Sequence, residues 1–199
     1  MSISVEPALP AGRRLPGDLA MWFFILAELA VFGVLILAFA VAQALQRDVF
    51  HAGRQALDAS IGLALTLCLL TAGGCAALAV ARVRAGRGRG GAAALLLAAL
   101  AFASGYVVLK LGEYRHLTGL GLGLEHDTFF TLYWILTGFH FLHVLLGMAV
   151  LGWMAWRCRA GGYGPGRCTG MESGALYWHM VDLVWVMLFP LVYVLAPLP

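Results

Sequence analysis

Five long runs of apolar residues, separated by short polar segments, dominate the pattern along this chain. They cover approximately residues 18–46, 59–81, 92–113, 128–156 and 173–196. Because an α-helix rises about 1.5 Å per residue, roughly 20 residues cross the hydrocarbon core of a membrane. Each run therefore predicts one membrane-spanning helix. We interpret the chain as an all-α integral membrane protein, with a tail at 1–17 and a single five-helix domain at 18–197.

The composition supports this interpretation. Hydrophobic residues make up 62% of the 199 residues and charged residues only 12%, whereas soluble domains carry about 25% charged residues. The arginines stand in loops without interleaved aromatic residues, so no nucleic-acid partner is expected. The connections are too short to form a soluble domain, so any chemistry must lie within the membrane or belong to a partner protein.

The basic residues are distributed unequally between the two ends of the predicted helices. One side, formed by the tail and by the second-to-third and fourth-to-fifth connections, holds Arg13, Arg14, Arg82, Arg84, Arg87, Arg89, Arg157, Arg159 and Arg167. The other side holds only Arg47, Arg54, Lys110 and Arg115. Since the cytoplasmic side of a membrane protein is the richer in Lys and Arg, the N-terminus is predicted to be cytoplasmic and the C-terminus to lie outside.

Two of the predicted helices carry paired polar residues. His140 and His143 stand three positions apart in the fourth run, and His179 and Asp182 stand three apart in the fifth. This spacing places both members of a pair on one face of a helix. Lipid offers no hydrogen-bonding partner, so the two polar faces should pack against protein. If they meet, their side chains can satisfy one another.

Two carboxyl groups are further candidates. Glu28 lies near mid-membrane depth in the first run, where a lone carboxyl must be protonated or paired. Glu113 stands at the predicted end of the third run, where a solvated helix end is the ordinary interpretation. Tyr133 and Tyr193 are interpreted as interfacial or packing aromatics. For the polar residues as a group, three interpretations remain open: an interhelical cluster that fixes packing, a metal or haem site, and a proton or substrate pathway.

Three segments of this sequence and one residue pair match a family pattern. The motif T-G-F-H-x-x-H-V-x-x-G at 137–147 resembles the signature helix of subunit III of haem-copper oxidases. The segment E-S-G-A-L-Y-W-H-M-V-D-L-V-W at 172–185 is similar to the last helix of that subunit. The segment F-I-L-A-E-L at 24–29 is similar to the helix that carries its buried glutamate, and Glu113-Tyr114 matches the pair that closes its central helix. The resemblance covers roughly residues 17 to 195.

The resemblance implies a short, five-helix form without the first two of seven helices, as in bacterial quinol oxidases and the nitric-oxide-reductase-associated protein. Such a subunit has no catalytic residues and binds no haem or copper, which are expected in the partner catalytic subunit I. It lies in the bacterial inner membrane, stabilises subunit I and its proton uptake, and holds phospholipid. On this reading Glu28 is the buried carboxyl near the lipid cleft. An intramembrane polar network is expected to comprise Glu28, Glu113, His140, His143, His179 and Asp182.

Two glycines of the fourth run, Gly138 and Gly147, are expected to lie in a close helix–helix contact, because small residues let helix backbones approach. The principal alternative function is an accessory subunit of nitric oxide reductase. Two further alternatives, from other classes, are a stand-alone proton channel or transporter and a membrane haem carrier.

Overall fold

The computed structural model describes residues 18–195, and each regular element in that part of the chain is helical. The elements are α1 (Leu19–Leu45), α2 (Arg47–Gln55), α3 (Ala59–Arg84), α4 (Arg89–Gly119), α5 (Thr128–Arg159), α6 (Thr169–Phe189) and a π-helical turn (Pro190–Val194). Five of them, α1, α3, α4, α5 and α6 with its π-turn, are long and apolar enough to cross a membrane. The predicted all-helical membrane architecture with five spans is confirmed.

The helices differ from the approximate predicted spans mainly at the end of the third span and the start of the fifth, and the first of these differences matters for function. The third span continues to Gly119, so Glu113 lies inside α4 and not at a solvated helix end. The polar connection after α1 contains the short amphipathic helix α2, which buries Phe50. Residues 1–17 and 196–199, which include the predicted tail, lie outside the described residues.

Side-chain caps set where two of the helices begin. At the start of α3, Asp58 Oδ1 accepts a hydrogen bond from the backbone N–H of Ser60 at 2.8 Å. At the start of α5, Asp127 Oδ1 accepts from the backbone N–H of Phe130 at 2.8 Å. Both carboxylates satisfy N–H groups that have no partner within the helix, and they suit the partial positive charge there. These caps mark where the chain turns back into the membrane.

The bundle is built around α3 and α4, which form its most extensive helix pair. Small side chains let helix backbones approach closely, and van der Waals packing supplies much of the attraction between helices in lipid. α5 and α6 pack against this pair, whereas α1 lies at the edge and contacts mainly α5 and α6. The buried small residues on these two helices are Gly62, Ala72, Gly73, Ala76 and Ala79 of α3 and Ala92, Ala93, Ala99 and Ala103 of α4. Of these, Gly62 and Gly73 face α6 and its π-turn.

Pro190 ends α6 and begins the π-turn, because proline has no N–H to continue the helical ladder. Arg54 of α2 holds this turn: its Nη2 donates to the carbonyl of Leu191 at 3.1 Å and its Nε to that of Val192 at 3.3 Å. Burial lowers the pKa of the Arg54 guanidinium, which still remains cationic at neutral pH. The turn places the buried Tyr193 against the interior of the bundle.

Candidate functional site

Lys110 lies inside the membrane bundle with its side chain fully buried, and it forms the centre of a polar network. Its Nζ donates to Glu113 Oε2 at 3.0 Å, to the Tyr133 hydroxyl at 3.1 Å and to the Tyr193 hydroxyl at 3.0 Å. We call these four residues the Lys110 network. It joins α4, α5 and the π-turn, so three separate parts of the chain must be in place for it to form.

Within the Lys110 network, the charges of Lys110 and Glu113 are paired and hydrogen-bonded. An ammonium group has three donors, and all three are used. Both tyrosine hydroxyls also donate to the carboxylate of Glu113, Tyr133 at 2.9 Å and Tyr193 at 2.8 Å. The Lys110 ammonium lies 5.4 Å from the centre of the Trp185 ring, within the range of cation–π attraction. Opposite charges with complete hydrogen bonding make an ion pair tolerable in an apolar interior.

Glu28 of α1 pairs with His143 of α5 in a second polar contact. His143 Nε2 lies 3.0 Å from Glu28 Oε2, and His143 Nδ1 lies 2.8 Å from the carbonyl oxygen of Phe139. A carbonyl only accepts, so Nδ1 carries a proton and donates it. One proton is then shared between Nε2 and the carboxyl group, and the contact is electrically neutral whichever atom holds it. The Glu28 side chain is 21% exposed, so the pair lies at the edge of the bundle.

His140 lies on the same helix but is not part of either contact. It is fully buried, and neither ring nitrogen has a hydrogen-bond partner among the described residues. Its ring stacks on Trp185 with the centroids 5.1 Å apart, and the edge of Tyr106 lies on another side at 6.2 Å. His140 is therefore packed among aromatic rings inside the bundle.

The His179–Asp182 pair of α6 does not face α5 as predicted. His179 Nδ1 lies 3.7 Å from Asp182 Oδ2, but the His179 side chain is 45% exposed. Asp182 is buried against Gly73 of α3, where a Cβ added to the glycine would collide with the carboxylate. The expectation that the polar faces of α5 and α6 satisfy one another is therefore corrected. Within the described chain, His143 pairs with α1 and Asp182 faces α3.

The two glycines of α5 also differ from each other. A Cβ built on Gly147 would lie 2.9 Å from Trp178 Cε3, so α6 approaches this position closely. A Cβ built on Gly138 meets nothing within 4 Å among the residues that the structure describes. The expected helix contact at Gly138 is thus absent within this part of the chain, and any neighbour of Gly138 must come from outside it.

Sequence reasoning missed Lys110, Tyr133 and Tyr193 as members of a polar site. One signal was present, because Lys110 and Glu113 have the three-residue spacing that places both on one face of α4. The roles of the two tyrosines depend on how α5 and the π-turn pack, which the sequence pattern does not contain. Among residues 18–195, no group of three or more His, Cys, Asp or Glu side chains is close enough to hold a metal ion.

These features define a multi-pass helical membrane protein with a neutral polar network inside its bundle. The chain belongs to the cytochrome c oxidase subunit III family, whose family model matches residues 16–196. It is 40% identical over 95 residues to cytochrome c oxidase subunit 3 of Thermostichus vulcanus, covering 47% of each chain. It is also 32% identical over 97 residues to cytochrome bo(3) ubiquinol oxidase subunit 3 of Pseudomonas putida, covering 49% of this chain and 47% of the other.

A longer but weaker match links this chain to a fused protein. Over 180 residues it is 28% identical to heme-copper oxidase subunit I+III of Aeropyrum pernix, covering 87% of this chain and 22% of that protein. The chain spans about half the length of the first two relatives named above.

Proposed function

We propose that this chain is a non-catalytic accessory subunit III of a respiratory haem-copper terminal oxidase in the bacterial inner membrane. The observation that carries the proposal is the family match over residues 16–196, which includes all five membrane-spanning helices. The relatives reported above are named as subunits of oxidases, which favours an oxidase over nitric oxide reductase as the parent complex.

We further propose that the partner is the catalytic subunit I. The name of the Aeropyrum pernix relative joins subunits I and III in one chain, which supports direct packing of the two. Haem and copper would reside in that partner and supply the electron-transfer and oxygen chemistry. This chain would contribute an apolar surface for packing. The charges of its Lys110 network are paired inside the bundle, so they need no counter-ion from the partner.

The Glu28–His143 pair is the part of this chain that we propose to influence proton uptake by the complex. It joins two membrane-spanning helices, is partly exposed at the edge of the bundle and shares one proton between two groups. A carboxyl–imidazole pair of this kind can accept or release a proton with little movement of heavy atoms. The resemblance to subunit III supports the same role for the buried glutamate of α1.

Co-purification tests the proposed function. An affinity-tagged chain should co-purify with one larger membrane protein in equal amount, and the complex should show haem absorption. The matched control is the same tagged chain produced in a host that lacks the catalytic subunit, which should be colourless. A stoichiometric Soret band from the chain alone would overturn the proposal, and so would recovery of the chain without any companion from its native membrane.

A further inference from the structure

A basic cavity lies where two arginine- and glycine-rich loops meet, at the end of the bundle opposite the π-turn. The α3–α4 loop contacts the α5–α6 loop at Gly86. A Cβ added to this glycine would lie 3.5 Å from Pro165 Cγ. Gly86 has a φ of 66°, which favours glycine at this turn. Between the loops is a cavity of about 270 Å³, whose walls include Arg82, Arg87, Arg89 and the buried Tyr163.

The charge of this basic cavity is not compensated by the described residues. Arg82, Arg87 and Arg89 are exposed, and none of them takes part in a salt bridge within residues 18–195. Nearby Arg84 differs, because its Nε pairs with Glu172 Oε1 at 2.7 Å. Three guanidinium groups around one cavity make a site that favours an anion. Guanidinium groups match the oxygen geometry of phosphate, which they bind through two parallel hydrogen bonds.

An apolar groove continues from the basic cavity toward the interior of the membrane. This second cavity, of about 240 Å³, shares Arg82 and Arg87 with the first and is otherwise lined by Leu78, Ala81 and Leu95. Leu78 precedes Arg82 by one helical turn, so it lies about 6 Å deeper along α3. The two arginines thus stand at the boundary between a cationic chamber and an apolar groove on the outside of the α3–α4 pair.

We infer that these two cavities together form a binding site for an anionic phospholipid. Its phosphate lies between Arg82 and Arg87, and one acyl chain follows the groove past Ala81 toward Leu78 and Leu95. The inference goes beyond the proposed function, because it names a ligand, its site and its headgroup charge. It depends on membrane insertion and not on the identity of the partner protein.

A soluble phosphate compound shares the headgroup chemistry, and the apolar groove distinguishes the two ligands. A free phosphate or pyrophosphate would use only the arginines, whereas a phospholipid also buries acyl methylene groups against Leu78, Ala81 and Leu95. Each buried CH₂ group contributes favourably to binding. The groove therefore predicts that the lipid binds more tightly than pyrophosphate does.

The experiment measures lipid retention by the purified full chain in detergent, using native mass spectrometry with dioleoyl phosphatidylglycerol and dioleoyl phosphatidylcholine. The Arg82→Gln/Arg87→Gln variant should bind phosphatidylglycerol about 30-fold more weakly, since an arginine near an anionic headgroup contributes roughly a factor of 5. Binding of phosphatidylcholine should change little. The matched control is Arg159→Gln/Arg167→Gln, which removes two charges from the same end of the bundle but outside both cavities.

A second variant, Ala81→Phe, fills the groove without changing the charge. It should weaken phosphatidylglycerol binding and leave the binding of inorganic pyrophosphate unchanged. Equal losses of phosphatidylglycerol binding in Arg82→Gln/Arg87→Gln and Arg159→Gln/Arg167→Gln would overturn the inference, because they would indicate attraction to net charge alone. Pyrophosphate binding as tight as lipid binding would overturn the lipid assignment. An unchanged thermal unfolding midpoint for each variant establishes that a loss of lipid is not a loss of fold.

Discussion

At the scale of single residues, Lys110 shows how a charge can persist inside an apolar helix. Its three donors have three acceptors, and Glu113 in turn accepts from Tyr133 and Tyr193. The stability of such a pair depends on its completeness, because removal of one partner leaves the other as an uncompensated buried charge. This asymmetry makes the Lys110 network open to a direct test.

Replacement of Lys110 by Met should lower the free energy of unfolding by about 3–5 kcal/mol, because Glu113 would remain buried without a cation. The measurement is a denaturant titration in detergent, followed by circular dichroism. The double variant Lys110→Met/Glu113→Gln serves as the control and should recover a large part of the loss, since it leaves no charge behind. A single variant as stable as the unmodified chain would contradict the internal pairing.

The Glu28–His143 pair leads to a second prediction. Gln at position 28 retains the shape of the carboxyl group and can donate an N–H to His143 Nε2, so Glu28→Gln should change stability by less than about 1 kcal/mol. Glu28→Leu leaves the imidazole nitrogen without a partner and should cost about 1–3 kcal/mol. Thermal unfolding in detergent measures both. If Glu28→Gln proves as damaging as Glu28→Leu, the pair exists as a charged carboxylate with an imidazolium.

At the scale of helices, the packing of α5 differs between two of its faces. The position of Gly147 lies against Trp178 of α6, whereas that of Gly138 faces open space in the described chain. Both glycines stand in the motif that resembles the family's signature helix, but they are nine residues apart and therefore lie on nearly opposite faces of α5. The face of Gly147 meets α6, and the face of Gly138 does not.

Gly147→Ala and Gly138→Ala therefore form a matched pair. Alanine favours a helix over glycine by about 1 kcal/mol, and Gly138→Ala should keep most of that gain. Gly147→Ala places a Cβ 2.9 Å from the Trp178 ring, and overpacking of this kind costs about 1–3 kcal/mol. Thermal unfolding should rank Gly147→Ala below Gly138→Ala, and the reverse order would show that α6 does not approach Gly147.

The π-turn after α6 depends on a contact from the short helix α2. Arg54→Gln removes the donors to the carbonyls of Leu191 and Val192, and lost hydrogen bonds from a charged donor cost about 1.5–3 kcal/mol. Because the turn carries Tyr193, amide hydrogen exchange should accelerate at 191–195. Arg47→Gln is the control, since Arg47 lies exposed on the same helix. Equal exchange rates in both variants would show that Arg54 does not hold the turn.

At the scale of the whole molecule, the sequence predicted the five spans because lipid forces every spanning segment to be long, apolar and helical. It did not predict the length of α4: Lys110 and Glu113 interrupt the apolar pattern, although each cancels the charge of the other in the folded bundle. It also did not predict that Glu28 meets His143, because this contact depends on the relative depth of α1 and α5. Long-range pairing of this kind is set by packing and leaves no local signal.

The orientation in the membrane remains a prediction, and the structure adds support for the charge difference on which it rests. Lys110 is buried and paired with Glu113, so it does not count as a loop charge on the predicted outer side, and Arg54 is occupied with backbone carbonyls. The arginines of the opposite loops are mostly exposed, which strengthens the charge asymmetry that determines topology.

Alkaline phosphatase fused after Leu195 should be active and green fluorescent protein at the same position should be dark, because the first folds only outside the cytoplasm and the second only within it. Reporters inserted at Gly164, in the α5–α6 loop, should give the opposite pair of results. A fluorescent fusion after Leu195 would reverse the assignment and place the basic cavity on the outer face.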